Sequence, residues 1–458
     1  MEKLSFLDAA FLHMESPQRP FHVAGLMLLK LPEGAGPGYL KRLAAHMGRL
    51  NELWPVFDKQ LSVPDDPGKA GWIKAGHYDP SRHVRHYALP PPGRMSDLLS
   101  LVSAAHEAPL DRGRPLWELH LIEGLSGNRF AIYCKVHHAL VDGVGALAML
   151  QALFSTSPDE KIDFRRARPK AEREHRRQSA MRQLVTAGRG LWRHSAALPQ
   201  VYRLLGQMGL NYLRGDREGM APPFTAPRSV FNTELDSARR LTLCDLPLAQ
   251  VRAISRKTGG TINDVLLAVC GGALRHYLQG VGELPKQSLL AGMPVSLKAR
   301  GESEGNQLCF LMAPYFTDEA DEFKRLQKVI RTTRKAKGEL TSVSRTASQD
   351  ITNLLFIPVI LLTLSGNTNR VNPAVNAIFS NVPGPRERVY LEGAELTGLY
   401  PLSVVTDGVG LNLTVVSYGS RLCFALTSCP THLPGIEGLG DLMKQSFRDL
   451  KAAVNAAT

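Results

Sequence analysis

His137-His138-Ala139-Leu140-Val141-Asp142-Gly143 places two adjacent histidines four residues before an Asp-Gly pair. A neutral imidazole can accept a hydroxyl proton near neutral pH and return it to a leaving group, which is the work of a general base. The stretch ends an apolar run over 130–136, which reads as a buried strand. It opens a second apolar run over 144–154, which reads as a helix. A histidine at such a junction is held by rigid elements and can face a cleft. Neighbouring residues on a strand point to opposite faces, so His137 and His138 do not share one role. The same alternation argues against His137, His138 and Asp142 closing on one metal ion, and no metal site is expected. Asp142 has two open roles: orienting a histidine as in a catalytic triad, or holding the turn. Gly143 suits a tight turn beside a substrate.

A tetrahedral intermediate needs a donor for its oxyanion. Asn263 lies in the first turn of a helix predicted from residue 261, where N–H groups and the helix dipole favour negative charge. The alternative is that Asn263 and Asp264 serve only to cap that helix. Two other candidate nucleophiles are set aside. Gly301-Glu-Ser-Glu-Gly305 matches G-x-S-x-G, but a polar loop surrounds Ser303 where an elbow needs a strand and a helix. Cys134, inside the strand, reads as a small hydrophobe.

The H-H-x-x-x-D-G stretch resembles the active site of the two-domain, CoA-dependent acyltransferase superfamily, which includes chloramphenicol acetyltransferase, plant alcohol acyltransferases and peptide-synthetase condensation domains. Leu4-Ser-Phe-Leu-Asp-Ala-Ala-Phe11, Pro115-Leu116-Trp117, Asn263-Asp264 and Ser380-Asn381-Val382-Pro383-Gly384-Pro385 narrow it. Together, in order and spacing over nearly the whole chain, they resemble the bacterial wax ester synthase/diacylglycerol acyltransferase family, in particular its marine-bacterial members. The resemblance implies an α/β (α+β) fold of two chloramphenicol-acetyltransferase-like domains, each a mixed sheet with flanking helices. It implies that His138, the second of the pair, is the base, and that Asp142 makes a structural ion pair. It implies direct transfer of a long-chain acyl group from acyl-CoA to a long-chain alcohol or diacylglycerol, with acyl-CoA as substrate and no cofactor. It puts Pro115, Leu116, Trp117, Ser380, Asn381, Pro383 and Gly384 near the substrate channel, although Trp117 by its type is as readily a core residue. Asp407-Gly-Val-Gly410 departs from the plant pattern by lacking both aromatics and reads as structural. A condensation domain is one alternative; a non-catalytic protein coating lipid droplets, which would not need His138, is another.

The elements that must position these residues follow from periodicity. Strands are predicted over 21–31 and 117–122, a hairpin turn at Gly127-Asn128, and helices over 39–53 and 95–106. Further strands are predicted over 241–246, 288–294, 308–315, 377–382, 411–418 and 422–427, with helices at 247–257 and from 261. The expected division is a first domain at 1–158, a basic linker at 159–227 and a second domain at 228–458. Within the linker, 179–213 carries a stripe of Met181, Leu184, Leu191, Trp192, Leu198, Leu204 and Met208 against Arg182, Arg189, Arg193 and Arg203. Such a helix either lies on a membrane or lipid-droplet surface or packs on the protein.

The net charge of +13 suits an anionic partner, such as CoA phosphates or a lipid surface, while no nucleic-acid recognition module is present. Six cysteines without a C-x-x-C pair, and no basic-then-apolar start, fit a cytoplasmic protein associated peripherally with membrane or lipid inclusions. The aliphatic run 354–364 is too short to span a bilayer and reads as a buried helix or a tunnel wall.

Overall fold

Two mixed β-sheets with helices against them frame the computed structural model. It describes residues 1–141, 143–164, 199–216, 218–296, 308–344, 347, 350, 354, 358, 361–363 and 365–457. The first half holds β1 (Glu2–Lys3), α1 (Phe6–Met14), β2 (His22–Lys30), α2 (Tyr39–Met47) and α3 (Leu50–Leu53). It continues with β3 (Lys59–Leu61), β4 (Gly71–Lys74), β5 (Val84–Ala88), α4 (Met95–Glu107), β6 (Trp117–Leu125), β7 (Arg129–His137) and α5 (Gly143–Ala152). A helix described over 199–213, α6, leads to β8 (Arg240–Pro247), α7 (Leu248–Thr258), α8 (Ile262–Gly280), β9 (Leu290–Ser296), β10 (Leu308–Pro314) and α9 (Glu322–Thr341). The chain then forms β11 (Ala377–Val382), β12 (Tyr390–Leu391), β13 (Ala394–Leu402), β14 (Leu411–Tyr418), β15 (Arg421–Ser428) and α10 (Leu439–Ala457).

The first large sheet has the order β12-β13-β2-β7-β6-β5, and the second β10-β9-β11-β14-β15-β8. Only β5–β6 is parallel in the first; in the second, β11 runs parallel to both β9 and β14. The second half of the chain lends strands to the first. β12 and β13 leave the second half to join the first sheet, where β13 pairs with β2 from Glu395↔Lys30 to Leu402↔Ala24. β2 and β7 are thus interior strands, and β7 is buried at every position after Arg129. Burial on both faces explains why its sequence is a nearly unbroken apolar run instead of an alternating one.

The strand-to-helix change at the histidine pair is present as expected. The helix expected over 39–53 is two helices: Gly48 ends the first, and a Cβ there would sit 2.9 Å from Cβ of Pro80. The linker stripe needs a correction. Leu204 and Met208, with Val201, are 4%, 2% and 4% exposed and pack in the core of the second half. The described part of the stripe therefore faces protein, and the apolar groups that α6 does expose are Tyr202, Leu210 and Leu213. Residues 165–198, which carry the rest of the stripe, lie outside the described residues, as do Asp142 and Ser303. Of the run 354–364, expected to be buried, Leu354 and Leu361 are exposed. Among the described residues no helix is long and apolar enough to cross a membrane.

Candidate active site

Beside the histidine pair lies an apolar cavity, part of it open to solvent. Its floor is the sheet, with Val23, Gly25 and Met27 from β2 and Ile132, Cys134 and Val136 from β7. One side is α5, through Ala146, Met149, Leu150 and Leu153; Leu50, Trp54 and Phe57 form another. The second half closes it with Leu399 and Leu402 of β13, Ser380 and Val382 of β11 and Thr414 of β14. Such a lining suits a hydrocarbon chain and offers little to a polar group. Gly25 belongs to it for a steric reason: a Cβ there would lie 2.8 Å from Cδ1 of Leu150.

Residues 132, 134 and 136 alternate onto the cavity side of β7; His138 follows the strand's last residue in that alternation, between the lining residues Val136 and Val141. The ladder carries on past the end of β7, because the His138 N–H donates to the Phe21 carbonyl at 2.9 Å. The half-buried His138 ring packs against Phe11 of α1, centroids 4.8 Å apart. His137 points the other way and is fully buried. Its Nδ1 accepts the Ala139 N–H at 3.0 Å, so the ring proton sits on Nε2, which faces Oε1 of Glu15 at 3.4 Å. Gly143 begins α5 directly after the motif turn.

Pro115-Leu116-Trp117 braces this strand. The Leu116 carbonyl accepts the His137 N–H at 3.0 Å, and Pro115 is buried beside it. Trp117 is a core residue with no exposed surface; its Nε1 donates to the Phe57 carbonyl at 2.9 Å and its ring stacks on His83. Phe57, not Trp117, reaches the cavity wall.

From the second half, Ser380 lines the cavity and its neighbour Asn381 turns toward α8. There the Asn381 amide donates to Oδ1 of Asn263 at 2.5 Å, which orients the Asn263 side chain with its own NH2 turned away from Asn381. Asp264 is buried and caps α8: Oδ2 accepts the Thr261 N–H at 2.7 Å, and Oδ1 accepts the Thr333 hydroxyl at 2.6 Å. The Asn-Asp pair therefore splits its work, with capping on Asp264 and the tie to Asn381 on Asn263. The Pro383 carbonyl accepts from Gln151 of α5 at 3.2 Å, joining this block to the motif helix. Gly384 is required where it stands, because a Cβ would collide with the Ser417 carbonyl. Asp407 pairs with Arg19 at 2.8 Å and accepts the Leu235 N–H, a tie between the two halves.

Cys134 lines the cavity, but burial pushes its thiol up to about 12, so it carries no thiolate at neutral pH. Among the described residues no group of three or more His, Cys, Asp or Glu is placed to hold a metal ion. Glu15, Phe11 and Phe21 are site residues that sequence reasoning missed. Glu15 and Phe21 fall outside the matched blocks, and only Phe11 lay within one.

The chain matches the family model for the wax ester synthase/diacylglycerol acyltransferase catalytic domain over residues 4–266, and that for the WS/DGAT C-terminal domain over 304–451. A Mycobacterium tuberculosis protein named as a diacylglycerol O-acyltransferase is 36% identical, over 98% of this chain and 100% of its own. The O-acyltransferase WSD of Acinetobacter baylyi is 33% identical, over 96% and 94%. The solved wax ester synthase/diacylglycerol acyltransferase of Marinobacter aquaeolei VT8 is similar with a TM-score of 0.75 at 32% identity, over 99% of this chain and 100% of that one. The first condensation domain of the calcium-dependent antibiotic synthetase shares the fold, with a TM-score of 0.59 at 15% identity. The site residues thus stand in a two-sheet acyltransferase frame, and the chain belongs to the wax ester synthase/diacylglycerol acyltransferase family.

Proposed function

We propose that this acyltransferase moves a long-chain fatty acyl group from acyl-CoA to the hydroxyl of a long-chain alcohol or a diacylglycerol, with His138 as general base. The observation that carries this reading is the apolar cavity whose floor strand, β7, leads directly into His138. The His138 imidazole takes the acceptor's hydroxyl proton as its oxygen attacks the thioester carbonyl. The C–S bond then breaks, and the imidazolium returns the proton to the CoA thiolate. Asn263, oriented by Asn381, donates to the oxyanion. No acyl-enzyme forms, because both substrates meet at one base; the unionised Cys134 supports this. Acyl-CoA is consumed as a substrate.

The chain would work at a lipid surface as a peripheral protein. Support comes from Tyr202, Leu210 and Leu213, which α6 exposes, and from the net charge of +13. The test is to incubate purified protein with palmitoyl-CoA and hexadecanol or a diacylglycerol, measure thiol release and identify the product. Ester formation that vanishes in His138→Ala supports the reading. Turnover without ester, or full activity in that variant, refutes it.

A further inference from the structure

On the His137 side of β7 lies a buried carboxylate, Glu15, whose partners adjoin His138. Glu15 follows α1 directly, and its own N–H donates to the Phe11 carbonyl at 3.1 Å. Its side chain is 4% exposed. Oε1 accepts the Phe21 N–H at 3.1 Å and faces Nε2 of His137 at 3.4 Å. Oε2 takes the Arg112 guanidinium, with Nε at 3.0 Å and Nη2 at 2.9 Å.

Each partner reaches His138 from a different side. Phe11 supplies the ring against the His138 imidazole, and Phe21 supplies the carbonyl for the His138 N–H. His137 precedes His138 and binds the N–H of Ala139, which follows it. The carboxylate thereby holds the strand beside His138 through the Phe21 N–H and stands against the residue before it, His137, while the Glu15 backbone N–H ties to the helix that carries Phe11. Burial opposes ionisation of Glu15, yet His137, the Phe21 N–H and Arg112 together hold its carboxyl below the ordinary value. A charged clamp of this kind is expensive to bury and stable only with all its partners in place.

We propose that Glu15, acting through His137 and Phe21, is a positioning residue for His138. It touches no substrate; it sets where the imidazole stands relative to the acceptor hydroxyl. The inference rests on His138 being the base. Loosening such a clamp moves a catalytic group by a fraction of an ångström to an ångström, which lowers turnover up to about 100-fold without changing substrate affinity.

The experiment compares wild type, Glu15→Gln, Glu15→Ala and His138→Ala with palmitoyl-CoA and hexadecanol, with kcat referred to folded protein by circular dichroism. A Gln at 15 keeps an oxygen for Phe21 and His137 but turns an NH2 toward Arg112. Expected is a graded fall in kcat, about tenfold for Gln and about 100-fold for Ala, with both KM values unchanged. Unchanged kcat per folded molecule with only a lower melting temperature overturns the proposal, because Glu15 is then merely structural. A raised KM with unchanged kcat also overturns it. If Glu15→Ala does not fold, Glu15→Gln decides alone by the same criteria. Should His138→Ala keep wild-type turnover, the general-base reading itself fails, an outcome distinct from the first two.

Discussion

The two faces of β7 have opposite characters although the strand is buried on both. On one side, Ile132, Cys134 and Val136 meet empty apolar space. On the other, Tyr133, Lys135 and His137 enter a dense polar layer beneath α4. Tyr133 Oη lies 2.7 Å from Nδ1 of His106, and Nε2 of His22 donates to the His106 carbonyl at 3.1 Å. Lys135 Nζ donates to the carbonyls of Ala105 and Ala108 at 3.0 and 2.9 Å, at the end of α4, and stands 3.3 Å from Glu118. The difference separates two tasks. A binding cavity needs shape and little polarity, while the strand that aims the base needs a rigid backing, and directional bonds supply that better than apolar contacts do.

The sharpest way to break this comparison is to remove the imidazole that follows β7 beside the cavity. His138→Ala is expected to lower kcat by about 10²–10⁴-fold, the usual range for a general base, with a melting temperature close to wild type. Steady-state thiol release and calorimetry check both halves of that statement. Equal losses of rate and stability would mean that the two faces are not functionally distinct.

On the opposite face the order reverses. Lys135 is 1% exposed, and its removal takes one of the cations from Glu118 and leaves the carbonyls at the end of α4 without their donor. Glu118 is held down to about 2 against the burial that opposes its charge, through His120, Lys135 and Arg85. Lys135→Ala should cost about 3–5 kcal/mol of stability, the range for breaking a buried ion pair. Chemical denaturation measures it. A loss below about 1 kcal/mol would show that the polar layer does not brace the strand.

Acidification probes the same layer more gently. Burial, with help from Arg239 and Lys135, pushes His106 down to about 3 from its ordinary 6.5. The folded protein keeps His106 neutral, while the unfolded chain takes up a proton below about 6.5. Its contribution is therefore fully present above 6.5 and shrinks as pH falls toward 3, by about 1.4 kcal/mol per unit. His22, also pushed well down by burial and by its charged neighbours, acts in the same direction. Between pH 6.5 and 5 the urea midpoint should fall, and His106→Gln should flatten that dependence. An equally steep fall in the variant would assign the acid sensitivity to other groups.

Much of the cavity side was legible in the sequence. The run over 130–136, the histidine pair and the following helix were all assigned from periodicity and motif, and the fold class came with the family resemblance. The polar side was not. Lys135 and Tyr133 look like interruptions of an apolar run, and their partners on α4 and β6 lie 10 to 30 residues away. Nor was the lending of strands legible. β13 pairs with β2 across more than 360 residues, and nothing in the local pattern of 394–402 names that partner. The linker stripe shows a third limit. Periodicity found a helix with an apolar side but could not say that Leu204 and Met208 face the core while Tyr202 and Leu213 face outward.

The smallest expected effect sharpens the contrast most. Cys134 is the most nucleophilic type of side chain on the cavity floor, two residues before Val136 and four before His138. If the cavity side supplied a nucleophile as well as the base His138, this thiol would be its source. Burial raises it to about 12, so well under 1% is ionised at pH 7. Cys134→Ala removes the sulfur and little volume, and turnover should stay within about twofold, with a stability loss of about 1–2 kcal/mol from the vacated space. Intact-protein mass spectrometry of wild type mixed with acyl-CoA alone should show no stoichiometric adduct. An adduct on Cys134 that disappears when alcohol is added would replace direct transfer with a covalent route. It would also put a second reacting group, besides His138, on the cavity side of β7.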